Sequence, residues 1–138
     1  MTANVVELRL FLRPEHRVIL RGTTALIAGN ASFAYDQVMQ LRVASSEIFD
    51  IALRHAIRGQ SPVEDLPITF RFAIGLDQLE IEATYSASPT ASADVGEEEM
   101  ESRALLASLV DEVTYGTSAT GEARLRVTKR LSASRVEP

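Results

Sequence analysis

Hydrophobic positions along the chain change period several times, and each change predicts an element. Residues 5–13, VVELRLFLR, alternate, with Val6, Leu8, Leu10 and Leu12 on one side and Glu7, Arg9, Phe11 and Arg13 on the other. A period of two predicts a strand with one buried face, which Pro14 ends. From Glu15 to about Asn30 the spacing turns helical, with Val18, Ile19, Ala25, Leu26 and Ala28 expected to share a broad inner face. Gly22 and Gly29 weaken that helix. Residues 35–58 carry the strongest helical signal: Val38, Leu41, Ile48, Ala52 and His55 recur at near-helical spacing, and Phe49, Leu53 and Ile57 widen the stripe. A helix apolar around most of its circumference belongs deep in a fold. Gly59 is its expected stop, and GQSPVEDLP a surface loop.

Two alternating stretches follow. ITFRFAI sends Ile68, Phe70, Phe72 and Ile74 one way, and LEIEATY sends Leu79, Ile81 and Ala83 inward with Glu80 and Glu82 outward. The turn Gly75-Leu76-Asp77-Gln78 makes them a hairpin. SASPTASADVGEEE is small, polar and acidic, so residues 86–98 read as a mobile loop. Helical spacing returns with Met100, Ala104, Leu105, Ala107, Leu109 and Val110. A strand EVTY, a turn GTSATG and a strand EARLRVTKRL close the pattern, with Ala123, Leu125, Val127 and Lys129 on one side. Residues 132–138 read as a frayed tail.

This order, with helices segregated from hairpin strands, predicts an α+β fold built as a two-layer sandwich. The outward arginines and glutamates leave one sheet face wet, as an antiparallel sheet allows. No internal repeat is visible, and 138 residues suit one domain spanning 1–138.

Composition narrows the chemistry. There is no cysteine, which removes disulfides, thiolate metal sites and a cysteine nucleophile, and a count of two histidines argues against a dedicated metal site. The net charge of −5 argues against nucleic acid as the main partner. No apolar run reaches the ~18–20 residues of a membrane span. MTANVVELRLFLRPEH lacks the apolar core of a signal peptide, so a soluble, cytoplasmic protein with no membrane partner is expected.

Two stretches carry a family resemblance. LRVASSEIFDIALRHA resembles the helix L-x-V-S-E-A-x-x-N-A-x-x-H-A of the anti-sigma factor serine kinases, the RsbW and SpoIIAB type, within the gyrase, chaperone and histidine-kinase (GHKL) ATPase superfamily. LLASLVDEVTYGTSATGEARLRVTKRL resembles their C-terminal end, where a helix runs into a strand, a Gly-Thr turn and a last strand ending KRL. The resemblance implies a Bergerat-type fold, with three helices on one face of a mixed, mostly antiparallel sheet. It also implies a bacterial transcription regulator whose partners are a sigma factor, an anti-anti-sigma protein of the STAS type, or a second copy in a homodimer.

The positions that bind nucleotide in that family differ here. Glu47 occupies the general-base position, but Ile51 stands where an asparagine would hold Mg²⁺, and isoleucine offers no oxygen to a hard cation. Tyr85 and Ala87 fall where the aspartate and first glycine of Asp-x-Gly-x-Gly belong, and the next carboxylate is Asp94. The glycine-rich turn before the third helix is replaced by EEEMESRALL, whose glutamates repel a triphosphate. The final Gly-x-Thr has become Gly121-Glu122-Ala123. Phosphoryl transfer depends on positioning and charge neutralisation, so these changes together imply a lost nucleotide site, with no cofactor, no metal and no catalytic residue expected. The alternative is an active ATP-dependent serine/threonine kinase using Mg²⁺, with Glu47 as base and a shifted metal site.

Plainer readings stand beside these. Glu47 reads first as a structural residue, such as a salt-bridge partner of Arg54 or another basic group. His55 reads as a packed or helix-terminal histidine, and Ser45 and Ser46 have no base at a recognisable spacing. Glu97–Glu99 with Glu101 read as a solvated run at a helix start. The strand arginines read as the wet side of the sheet, with a partner-binding face as the sharper possibility.

Overall fold

The computed structural model of the chain describes residues 4–57, 62–87, 96–118 and 121–131. Residues 88–95 of the expected mobile loop, Asp94 among them, lie outside the described residues. So do Gly59, residues 119–120 of the last turn, the tail 132–138 and the side chain of Ile57.

The first strand, β1 (Asn4–Phe11), leads into helix α1 (Pro14–Asn30), and α2 (Tyr35–Ile57) follows. Pro14 starts α1 rather than merely ending β1; it takes the first helical turn, where a missing N–H costs nothing. A 3-10 turn at Val63–Asp65 precedes the hairpin β2 (Pro67–Ile74) and β3 (Gln78–Ser86). Helix α3 (Glu97–Leu109), β4 (Glu112–Thr117) and β5 (Glu122–Arg130) complete the chain. The five strands lie in the order β1-β2-β3-β5-β4. All four ladders are antiparallel, so no parallel pair of a mixed sheet occurs among the described strands.

The alternating patterns set the register. Ile68, Phe70 and Phe72 of β2, Leu79, Ile81, Ala83 and Tyr85 of β3, and Leu125 and Val127 of β5 form the floor of the core. Leu41, Ala44, Ile48, Phe49, Ile51 and Ala52 of α2 cover it, and these residues share one hydrophobic cluster. On the opposite face the register aligns Glu7, Arg71, Glu82 and Arg126 across four strands. Their charges alternate, with separations of 3.9–4.0 Å between Glu7 and Arg71 and between Glu82 and Arg126. Glu112 and Arg130 pair nearby. The chain is thus an α+β sandwich, with its helices on one side of an antiparallel sheet and water on the other.

Two helices turn differently from expectation. On α1, Val18, Ile19 and Leu26 are 69%, 50% and 71% exposed, while Leu20, Thr24, Ile27 and Ala28 are buried. The buried positions follow i, i+4, i+7 and i+8, and Thr24 joins them because its Oγ1 donates to the Leu20 carbonyl at 2.8 Å. That bond satisfies the Thr24 hydroxyl within its own helix. On α3, Met100, Ala104, Leu105 and Ala107 are exposed, and the inward residues are Glu99, Ser102 and Leu106. An acidic run therefore supplies one of its glutamates to the interior.

Candidate functional site

The site forms where α2, α3 and the ends of β3, β4 and β5 meet. Along α2, Glu47, Ile51, Arg54 and His55 are spaced i, i+4, i+7 and i+8 and fall within one broad arc of the helix, from which Ile51 enters the core. Ile51 belongs wholly to the core, with no exposed surface. Glu47 and Arg54 are half-buried, and His55 is buried at the C-terminal end of that face.

Other contacts hold α3 in place. Lys129 of β5 donates from Nζ to the Leu109 carbonyl and to Gln40 Oε1, both at 2.7 Å. A cation is thereby set against the last turn of α3, where the helix carbonyls are unpaired. Gln37 Nε2 donates to the Arg130 carbonyl at 3.2 Å, which pins the start of α2 to the same strand. The first turn of α3 then faces the second half of α2.

Between them lies a closed network. Ser102 Oγ donates to Glu47 Oε2 at 2.6 Å, and Arg54 Nη2 donates to Ser102 Oγ at 3.0 Å. Arg54 Nη2 also donates to Glu99 Oε1 at 2.8 Å, and Arg103 Nε donates to Glu99 Oε2 at 3.1 Å. His55 Nε2 lies 3.6 Å from Glu99 Oε2. His55 Nδ1 and Tyr85 Oη share a hydrogen bond of 3.1 Å. The guanidinium of Arg103 sits 4.2 Å from the centre of the Tyr115 ring, within cation–π range.

The side chain of Glu99 is only 7% exposed, which would normally disfavour its charge. Burial does push its carboxyl up, but the hydrogen bonds from Arg54 and Arg103, with the charges of His55 and Arg54, outweigh it and hold the group below the usual range. Burial pushes the Tyr85 phenol well above its ordinary value, and the Glu99 charge adds to that. Tyr85 therefore remains a neutral hydroxyl at any physiological pH. Burial raises Tyr115 as well, against the lowering effect of Arg103.

A cavity of about 360 Å³ opens beside this network, with His55, Tyr85, Ala87, Arg103, Tyr115 and Thr117 among its walls. Gly121 on its rim has a φ of +88°, the left-handed conformation that suits the turn before β5. The residues named from sequence thus part company. Tyr85 and Ala87 line the cavity, Glu47 stands at the outer end of the network, and Ile51 lies in the core. Glu47 pairs with Ser102 rather than with Arg54. Ser45 Oγ donates to the Arg42 carbonyl at 2.9 Å, and Ser46 Oγ is buried with no hydrogen-bond partner, so neither has a base beside it.

Sequence reasoning missed Glu99, Ser102 and Arg103 as site residues. Their spacing from Leu106, at i−7, i−4 and i−3, marks the inner face of α3 once Leu106 is placed inward. The exposed apolar residues of α3 obscured that signal.

No protein-family model matches the chain. Among curated proteins it is 31% identical over 80 residues to the serine-protein kinase RsbW of Bacillus pumilus, covering 58% of this chain and 49% of that protein. It is 33% identical over 76 residues to the serine-protein kinase RsbW of Listeria monocytogenes, covering 55% and 46%. The Bacillus subtilis protein of the same name is 29% identical over 79 residues, covering 57% and 48%. The chain spans about half the length of the curated relatives it matches. Its sequence is RsbW-like over more than half its length, and its α+β sandwich agrees with the fold which that resemblance implies.

Proposed function

We propose that this RsbW-like chain is a regulatory protein-binding module of the anti-sigma type, one that works without nucleotide. Its partner is a sigma factor or a STAS-type anti-anti-sigma protein, and it acts by masking a partner surface until a competitor displaces it. A homodimer is the expected working form, in the cytoplasm.

One observation carries this reading. Of the side chains at the expected nucleotide positions, Ile51 is in the core, Tyr85 is hydrogen-bonded to His55, and Glu47 is hydrogen-bonded to Ser102. Ile51 has no oxygen for Mg²⁺ and is wholly buried. Tyr85, where an adenine-binding carboxylate would be expected, is tied to His55. The first turn of α3, which follows Gly96 at the N-cap, presents Glu97 and Glu98 to solvent and Glu99 to the interior, and these carboxylates repel a phosphate at that end of the helix. These residues do not fit Mg-ATP, and no phosphoryl-transfer step is assigned to them.

Calorimetry with Mg-ATP tests the reading. No saturable heat is expected at millimolar nucleotide, and no labelled phosphate should reach a STAS protein. Binding in the micromolar range or phosphate transfer would overturn it.

A second reading, an active serine kinase, is favoured by the name of the relatives and by Glu47, to which the Ser102 hydroxyl donates at 2.6 Å. The same two assays separate them.

A further inference from the structure

Glu99 is the exception within its own turn. Glu97, Glu98 and Glu101 face solvent, whereas Glu99 lies between α2 and α3 with both oxygens engaged. Arg54 approaches one oxygen at 2.8 Å, and Arg103 and His55 approach the other at 3.1 and 3.6 Å. Two guanidiniums and an imidazole, drawn from two helices, thus converge on a single negative group. Planar guanidinium donors arranged in this way are the usual means of holding phosphate and related oxyanions.

The donors are also held from behind. Ser102 Oγ accepts from Arg54, Tyr115 lies under Arg103, and Tyr85 bonds the far nitrogen of His55. Their arrangement therefore does not depend on Glu99 alone. His55 and Arg103 also line the 360 Å³ cavity, which gives the cluster a route to solvent.

We infer that Glu99 is a built-in anionic ligand: its carboxylate fills an oxyanion site made by Arg54, Arg103 and His55, and holds α3 against α2 with no bound phosphate. A phosphate, a pyrophosphate or the phosphoryl group of a larger molecule could enter only by displacing Glu99. That displacement would release the first turn of α3. The inference deepens the nucleotide-independent reading above and rests on it for its biological sense, but the two can fail separately. Mg-ATP titration of the unaltered chain tests the first, and anion rescue of a variant tests the second.

Glu99→Ala should lower the melting temperature by roughly 10 °C, because two cations lose their partner. At millimolar inorganic pyrophosphate, compared with chloride at equal ionic strength, that variant should regain about 3–6 °C. The unaltered chain and Glu98→Ala should shift by less than about 1 °C. Glu99→Gln keeps the side chain's shape and serves if the alanine variant does not fold. Its pyrophosphate shift should lie between those of the unaltered chain and Glu99→Ala. Equal shifts in all variants, or no shift in either Glu99 variant, would overturn the inference.

Discussion

The two sides of α2 are built on different physics. Toward the sheet, Ile48, Phe49, Ile51 and Ala52 pack against strand residues that expose almost nothing, and stability there comes from apolar area removed from water. Toward α3, Glu47, Arg54 and His55 meet Ser102, Glu99 and Arg103, and cohesion comes from charges whose desolvation must be offset by their own pairing. The first contact is insensitive to pH and anions but intolerant of any polar atom. The second tolerates polar atoms and depends on every partner being present. Removing one apolar side chain from the first leaves a cavity, whereas removing one charged partner from the second leaves a partly buried charge unpaired.

The sharpest way to break this contrast is to put a polar group on the apolar side. Ile51→Asn, which restores the residue type of the resembling family, should cost about 3–5 kcal/mol, since it loses buried apolar volume and adds an amide without partners. Urea denaturation measures this, and a cost below about 1 kcal/mol would show that the core has room for the amide. On the polar side, Glu99→Ala should cost about 2–4 kcal/mol, less than a fully buried pair because Arg54 and Arg103 keep some contact with water. Tyr85→Phe removes only the hydroxyl shared with His55 and should cost about 1–2 kcal/mol in the same assay. Arg126→Ala, on the wet face of the sheet with half of its side chain exposed, should change stability by less than about 0.5 kcal/mol.

The pH response sharpens the same comparison. The Glu99 carboxyl lies lower in the folded chain than its ordinary value of 4.5, because the arginine hydrogen bonds outweigh the effect of burial. The unfolded chain therefore binds that proton more readily. The stabilisation is complete above the ordinary value and is lost as pH falls through the folded one. Urea midpoints should drop on acidification below pH 4.5, and Glu99→Gln should flatten part of that limb. An unchanged limb would remove Glu99 from the account of the α2–α3 seam.

How much of this could be read in advance follows from the same division. The β2–β3 hairpin was legible because period two admits one inner face, and Ile68, Phe70, Phe72, Leu79, Ile81 and Ala83 all turn inward as expected. α2 was legible because it is apolar around most of its girth. α1 was recognised as a helix but misjudged in phase. Val18, Ile19 and Leu26 equal the inner Leu20, Ile27 and Ala28 in number, while Thr24 hides its polarity in a bond to its own helix. α3 was misjudged for the opposite reason, since its inner face is polar and satisfied by a helix some 45 residues earlier in the chain. At the site, the resemblance pointed to Glu47, Ile51, Tyr85 and Ala87. It could not point to Glu99, because a carboxylate in an acidic run has the sequence signature of a solvated one. Only the positions of Arg54 and Arg103 in space distinguish it.

On the proposed function, this fold works without nucleotide. Isothermal titration of the unaltered chain with Mg-ATP tests it most directly. The account predicts no saturable binding up to millimolar nucleotide, and a dissociation constant in the micromolar range would contradict it.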